Sequence, residues 1–385
     1  MGIGIVSVVA SNTTRVLLIL ILVSLPLTWL TLAIDTRYAV LIPVTAMWLL
    51  APPQLRVRGT LLVPGFLALV TFVAALSMSW SDSLTKAQLG TLSLAMLAAT
   101  SLVVATRCTF KQVSWAVYVW TLVLLVTGLV LFAVGISEAM GGPRVRGLMG
   151  NAQGAGIIAL ICIGVAPMLG RRAFIVAWPL AIFTIILAQS RAAALGCVVL
   201  IAVLIGYWIK KKTGVVGLLA FSLLTSLPLL WLGLSLELTG ETGLIRFNNS
   251  RTVVWEPLLT AFITHPWAGV GWASYESGVE SSYLKVLAEL GIIGFFIVSA
   301  AAIILVKQFS RLQVTGLALA LGILVNAVFE GWLLTGGSAY AWAVWLLAAS
   351  TGSRPPLLTT TPRQYSLPLS RHIKLPLHLS QRTRN

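Results

Sequence analysis

Polar residues interrupt this chain so rarely that the lengths of the apolar intervals between them, rather than any fine periodicity, predict its elements. Apolar runs recur near 16–34, 38–51, 61–80, 88–106, 113–135, 151–169, 173–189, 191–209, 214–235, 283–306, 313–333 and 338–351. A helix rises about 1.5 Å per residue and needs about 20 apolar residues to cross a bilayer core. On that ruler there are about twelve spans, the second and the last being short. The runs are unbroken and rich in Leu and Ala, without the alternation of barrel strands. The expected fold is therefore all-α, a polytopic membrane helical bundle. Residues 173–209 would make one helix of roughly 55 Å, nearly twice a bilayer core, so this run is expected to fold back at Gln189-Ser190-Arg191.

One polar interval stands apart, a long outer loop at about 236–282 holding Arg246, Arg251, Glu256, His265, Glu276 and Glu280. The rest of residues 1–351 reads as a membrane domain that holds this interval at one face of a bilayer. Residues 352–385, rich in Arg, Pro and Ser, read as a basic, disordered cytoplasmic tail drawn to anionic lipid.

Composition agrees: 58% of residues are hydrophobic, 9% are charged, and the mean hydropathy is +0.97. Soluble domains carry roughly a quarter charged residues. The net charge of +16 suggests nucleic acid until its distribution is read. With the N-terminus inside, the cytoplasmic segments collect 18 of the 26 basic residues, and all ten acidic residues fall on or near the outer side. That is the asymmetry topology produces. It places both termini in the cytoplasm and excludes nucleic acid as a partner.

Cys108, Cys162 and Cys197 lie far apart in or beside apolar runs, without a ligand set, and receive no function. The first run reads as a signal anchor, since no small-residue cleavage site follows it. There is no internal repeat, phosphate loop or dinucleotide fingerprint. Glycine spacings such as Gly150 to Gly154 and Gly291 to Gly294 read as close helix packing.

Candidate chemistry is concentrated on the outer side. Arg144, Arg146, Arg191, Arg246 and Arg251 run against the topological bias. Guanidinium groups stay charged and bind phosphate through a planar fork, which suits a diphosphate at a bilayer surface. They could instead snorkel to headgroups or pair with nearby glutamates; for Arg191, in a tight apolar hairpin, the functional reading is favoured. Glu276, Glu280 and Tyr283 are spaced i, i+4, i+7, so a helix entering the next span would align them. A carboxylate there could take a proton from a sugar hydroxyl, or simply mark a solvated helix start. Lys285 and Glu289 read as an i, i+4 ion pair. His265 is a candidate base or a structural hydrogen-bonding group. No Asp-x-Asp, no second His outside the tail and no Ser-His-Asp set is available, so neither metal catalysis nor a serine nucleophile is expected. Few charges fall deep in spans, which disfavours an ion-coupled transporter.

Several of these pieces resemble the bacterial O-antigen ligases and the O-antigen or exopolysaccharide polymerases. They are Arg146-x-x-x-x-Asn151, Ser190-Arg191-Ala-Ala-Ala-Leu-Gly196, Arg251-x-x-x-Trp255, His265-Pro-Trp-Ala-Gly-Val-Gly271, Ser282-Tyr-Leu and Glu289-Leu-Gly-Ile-Ile-Gly294, spread over about 144–306. The resemblance implies a GT-C-like membrane glycosyltransferase in the bacterial inner membrane, its active site on the extracytoplasmic face. It implies an undecaprenyl-pyrophosphate-linked oligosaccharide donor held by Arg191, Arg251, Arg146 and Arg246. It implies inverting transfer to a sugar hydroxyl without metal or other cofactor. Chain-length or export proteins are possible partners. Ligases of this family usually carry a His shortly before the Tyr-Leu pair; between Gly271 and Tyr283 this chain has none, and Glu280 stands in that neighbourhood. The expectation is thus a polymerase with Glu280 or His265 activating the acceptor and Glu276 and Tyr283 secondary. A ligase, or a flippase of lipid-linked sugar, is the alternative.

Overall fold

A computed structural model describes residues 12–21, 61–81, 83–135, 144–146, 151–209, 250–275, 281–335 and 337–351, with backbone alone at 250–254. The helices are α1 (Asn12–Ile21), α2 (Leu62–Ser77), α3 (Leu84–Arg107), α4 (Phe110–Ala133), α5 (Ala152–Leu169) and α6 (Arg171–Ala188). They continue with α7 (Arg191–Ile209), α8 (Ser250–Thr264), α9 (Ser282–Ser310), α10 (Gln313–Phe329) and α11 (Ala339–Ser350). Among the described residues there is no strand, seven helices are long and apolar enough to cross a membrane, and α1, α10 and α11 are shorter apolar helices. Of the expected spans, 38–51 and 214–235 lie outside the described residues, as do most of 16–34 and the tail 352–385.

Large apolar side chains such as Phe72 on α2, Val130 on α4, Ile175 on α6 and Phe296 on α9 face outward, as lipid contact requires. The centre of the bundle is the last of the expected spans, one of the two shortest. In α11 every residue except Tyr340 is buried, and Trp342 and Trp345 are among the largest fully enclosed side chains. A helix apolar on all sides has no solvent or headgroup face and belongs inside. It packs against α2, α3, α4, α5 and α9. At 12 residues it is about 18 Å long, well short of a bilayer core.

The long apolar run does fold back. Gln189 takes the left-handed conformation (φ 51°), ending α6, and α7 starts two residues later. Both helices flank α5: α6 packs along it, and Gly196 of α7 lies against Leu160. Gly196 also meets the backbone of Gly322, which seats α10 beside α7. Asn12 donates to the Arg107 carbonyl at 3.2 Å, and Thr109 and Gln112 form a reciprocal capping box opening α4. The described basic residues Arg15, Arg107, Lys111, Arg171, Arg172, Lys307 and Arg311 all lie at or beside the helix ends of one pole of the bundle. Arg191, Glu256, Glu289 and Glu330 lie towards the other.

α9 is not one helix. Gly291 has φ 59° and ψ −141°, and the chain breaks there into Ser282–Leu290 and Ile292–Ser310. The close packing expected of the Gly291 to Gly294 spacing is seen at Gly291, where a Cβ would meet the backbone of Pro266 and Trp267 at 2.6 Å, and Gly291 is in addition the joint. A break at this depth frees backbone groups that must find partners within the protein. The turn 265–275 supplies them. Val270 and Gly271 donate N–H to the carbonyls of Ala288 and Glu289 at 3.1 and 2.9 Å, and Ile292 N–H donates to the Pro266 carbonyl at 2.8 Å. The two glycine-bearing motifs, some twenty residues apart in sequence, are the two halves of one seam.

Candidate functional site

The hairpin between α6 and α7 carries Arg191 and receives the short segment that holds Arg144 and Arg146. The short segment Arg144–Arg146 is tied to it by Val145, fully buried against Ala188, Ala152 and Ala155, whose N–H donates to the Leu187 carbonyl at 3.3 Å. Arg144 Nε donates to the Gln189 side-chain oxygen at 3.0 Å. The left-handed turn that ends α6 therefore also aims the amide that holds Arg144. Arg191 opens α7 with its side chain exposed, and Arg146 is half-buried. Asn151, the last residue of the Arg146-x-x-x-x-Asn151 piece, caps α5 by accepting the Gln153 N–H at 2.9 Å. Ser190 packs against Gly156 of α5, where a side chain would leave no room for the hairpin.

The polar interval is not a plain loop: residues 250–264 form α8. Trp255 stacks on Phe329 at the end of α10, with ring centroids 6.5 Å apart and planes 20° from parallel, while Leu258 and Ala261 pack on Ala288 of α9. Arg251 lies one turn before Trp255 on this helix; its side chain, like all of Arg246, Glu276 and Glu280, is outside the described residues. His265 ends α8 exposed, with Nδ1 3.0 Å from the Thr264 hydroxyl. It opens, with Glu256 and Tyr275, onto a shallow groove of about 520 Å³. The Tyr275 hydroxyl donates to the Pro257 carbonyl at 3.3 Å and closes that groove's floor.

α9 begins at Ser282, with Ser281 as its cap accepting the Leu284 N–H at 3.2 Å. Tyr283 is on it and its hydroxyl donates into the bundle, to the Leu324 carbonyl at 2.9 Å; Glu276 and Glu280, expected to align with it, lie outside the described residues. Ser282 stitches the start of α9 to the end of α10, donating to the Glu330 carbonyl at 2.6 Å and accepting the Leu333 N–H at 3.0 Å.

Lys285 and Glu289 do pair, at 3.9 Å, but not on a solvated face. The Glu289 side chain is wholly buried, and the Lys285 side chain is only one-tenth exposed. Glu289 Oε1 also accepts the Tyr275 N–H at 3.3 Å. Arg144, Gln189 and this pair were not among the expected site residues. For Arg144 the signal was present, another arginine against the topological bias; for Gln189 nothing local distinguishes a turn residue from one that positions a neighbour.

No curated protein matches the chain. A family model described as O-Antigen ligase matches residues 174–299, about a third of the length. The match begins after Arg146 and covers α6, α7, α8, the 265–275 turn and the first half of α9. That match, lying on the hairpin of Arg191 and on both halves of the Gly291 seam, supports the resemblance of this multi-pass membrane protein to the O-antigen ligase and O-antigen polymerase superfamily.

Proposed function

We propose that the chain is a polymerase that joins undecaprenyl-pyrophosphate-linked oligosaccharide repeat units into a cell-surface polysaccharide. The observation that carries this is the gathering of Arg144, Arg146 and Arg191 around one turn. Guanidinium groups stay charged and bind phosphate through a planar fork, and a diphosphate is the dianion a lipid-linked sugar presents. Arg191 and Arg251 bind it, and Arg146 and Arg246 assist. The pole carrying Arg15, Arg107, Lys111, Arg171, Arg172, Lys307 and Arg311 is the cytoplasmic one by the charge rule, so the arginine hairpin faces outward across the inner membrane.

In the reaction the acceptor hydroxyl attacks the anomeric carbon on the face opposite the diphosphate. The new C–O bond forms as the bond to the leaving phosphate oxygen breaks, giving inversion. The hydroxyl proton passes to a base, Glu280 or His265, and the arginines stabilise the charge that develops on the departing diphosphate. Glu276 and Tyr283 are secondary, and the chemistry needs no metal.

Purified full-length protein, given lipid-linked repeat units, should give a ladder of products that stay attached to the lipid pyrophosphate. Arg191→Ala should abolish the ladder at normal membrane abundance. The description of the matching family favours a second reading, a ligase. Transfer that occurs only when a separate lipid or protein acceptor is supplied would establish it in place of the polymerase. Movement of lipid-linked sugar without any new glycosidic bond would refute both and leave a flippase.

A further inference from the structure

The arginine pole holds a second recess, separate from the groove beside His265. Among its walls are Gly90 of α3, Trp272 of the turn, Ser282 and Lys285 of α9, and Thr335 and Gly337 before α11. The space open to water centres is about 60 Å³. At roughly 10–15 Å³ per water centre this holds about four to six waters, or about 120–180 Å³ of liquid, on the scale of one monosaccharide ring. The recess exists because α11 is short. Its leading segment, with Trp332, Leu333 and Leu334 buried, is drawn down into the bundle, and the Trp345 indole N–H donating to the Leu333 carbonyl at 2.8 Å holds it there.

The wall carries a buried cation whose counter-charge is close but not hydrogen-bonded. Lys285 Nζ is 3.9 Å from Glu289, beyond hydrogen-bond length, so its protons are available to a ligand. Glu289 Oε2 is buried with no hydrogen-bond partner among the described residues. Two ions buried in this way are a weak source of stability, since their desolvation costs several kcal/mol each. The pair sums to zero charge. A diphosphate entering here would meet the carboxylate as well as the ammonium, whereas a neutral ligand rich in hydroxyls can accept from Lys285 and lie on the apolar indole of Trp272.

We propose that this recess is the acceptor subsite, taking one hydroxyl-rich sugar ring of the saccharide to be extended. The inference rests on the glycosyl-transfer reading and adds to it a division of labour. α10 packs on α5 and on α9, and at Gly322 on α7. The arginine hairpin and the Lys285 recess thus flank the end of α10, the donor's diphosphate on one side and the acceptor sugar on the other.

The test is calorimetric titration of the detergent-solubilised full-length protein with lipid-free oligosaccharide, released by mild acid from the producing cell's lipid-linked pool. The wild type should bind saturably. Lys285→Met/Glu289→Gln, which removes both charges and leaves no orphan ion, should weaken binding at least tenfold. So should Gly337→Trp, at a position where an added Cβ meets nothing within 4 Å. Arg191→Ala should bind this diphosphate-free probe as the wild type does while losing transfer. Absence of saturable binding by the wild type, unaltered binding by both recess variants, or equal loss in Arg191→Ala would overturn the proposal. Saturable, recess-dependent binding by a wild type that performs no transfer would support a sugar site here and refute the transferase reading.

Discussion

Replacing Gly291 by alanine tests the seam between the 265–275 turn and α9. Its backbone, at φ 59° and ψ −141°, lies in a region essentially confined to glycine, and holding another residue there costs about 1–3 kcal/mol. A Cβ at this position would also sit 2.6 Å from the Pro266 carbonyl oxygen, the acceptor of the Ile292 N–H. The variant has two ways out. It can keep the break and bear the strain and the close contact, or it can straighten α9 and forfeit the three backbone bonds that tie the turn to it, each worth about 1 kcal/mol. Both routes converge on a loss of about 3 kcal/mol, and the second also releases the segment that carries His265 and Trp272. The assay is a paired thermal melt in detergent and a transfer measurement, with Gly65→Ala as control, since a Cβ at Gly65 meets nothing within 4 Å in an ordinary helical backbone. Gly291→Ala should melt clearly below wild type and lose most transfer, while Gly65→Ala melts at or slightly above it. Equal melting of the two variants, with transfer intact, would refute the seam.

Three further outcomes follow from single contacts. Lys285→Met alone strips the buried Glu289 carboxyl of its counter-charge and leaves it short of partners, which should cost about 1–3 kcal/mol, with much of the stability restored in the Lys285→Met/Glu289→Gln double variant; a melt in which the double variant is the less stable would contradict the pairing. Asn326→Leu removes the acceptor of the buried Trp332 indole N–H, now bonded at 2.8 Å, and should destabilise by about 1–3 kcal/mol in the same melt. Gln189→Gly relieves a left-handed residue of about 1 kcal/mol but removes the acceptor that positions the Arg144 guanidinium, so stability should hold while the KM for lipid-linked donor rises; an unchanged KM would separate the Gln189–Arg144 contact from donor binding.

Among the described residues the spans were legible wherever hydropathy alone decides, and the fold-back at Gln189-Ser190-Arg191 followed from length. The centre of the bundle was not. α11 is short and reads as marginal because hydropathy measures fitness for lipid, and α11 is solvated by other helices instead. The kink at Gly291 was hidden for a related reason: its cause lies some twenty residues upstream, in the carbonyl of Pro266 and the amides of Val270 and Gly271, and no local pattern announces a partner. Among candidate site residues, Arg191 and Arg146 stood out because charge on that side breaks a rule. Lys285 and Glu289 obeyed one, the i, i+4 pairing of a surface helix, and so concealed that they are buried.

The break in α9 also bears on how the chain enters a membrane. Ile292–Ser310 is 19 residues, about 28 Å, enough by itself to partition into a bilayer as it is synthesised. Ser282–Leu290 need not enter with it as a continuous helix, because its amides and carbonyls near the joint are met by a turn that has already been made when α9 emerges. Insertion and docking are thereby separable events. The second half of α9 is placed by lipid, whereas the first half, with Lys285 and Glu289, is placed by the protein and reaches its depth only once the turn has closed over it.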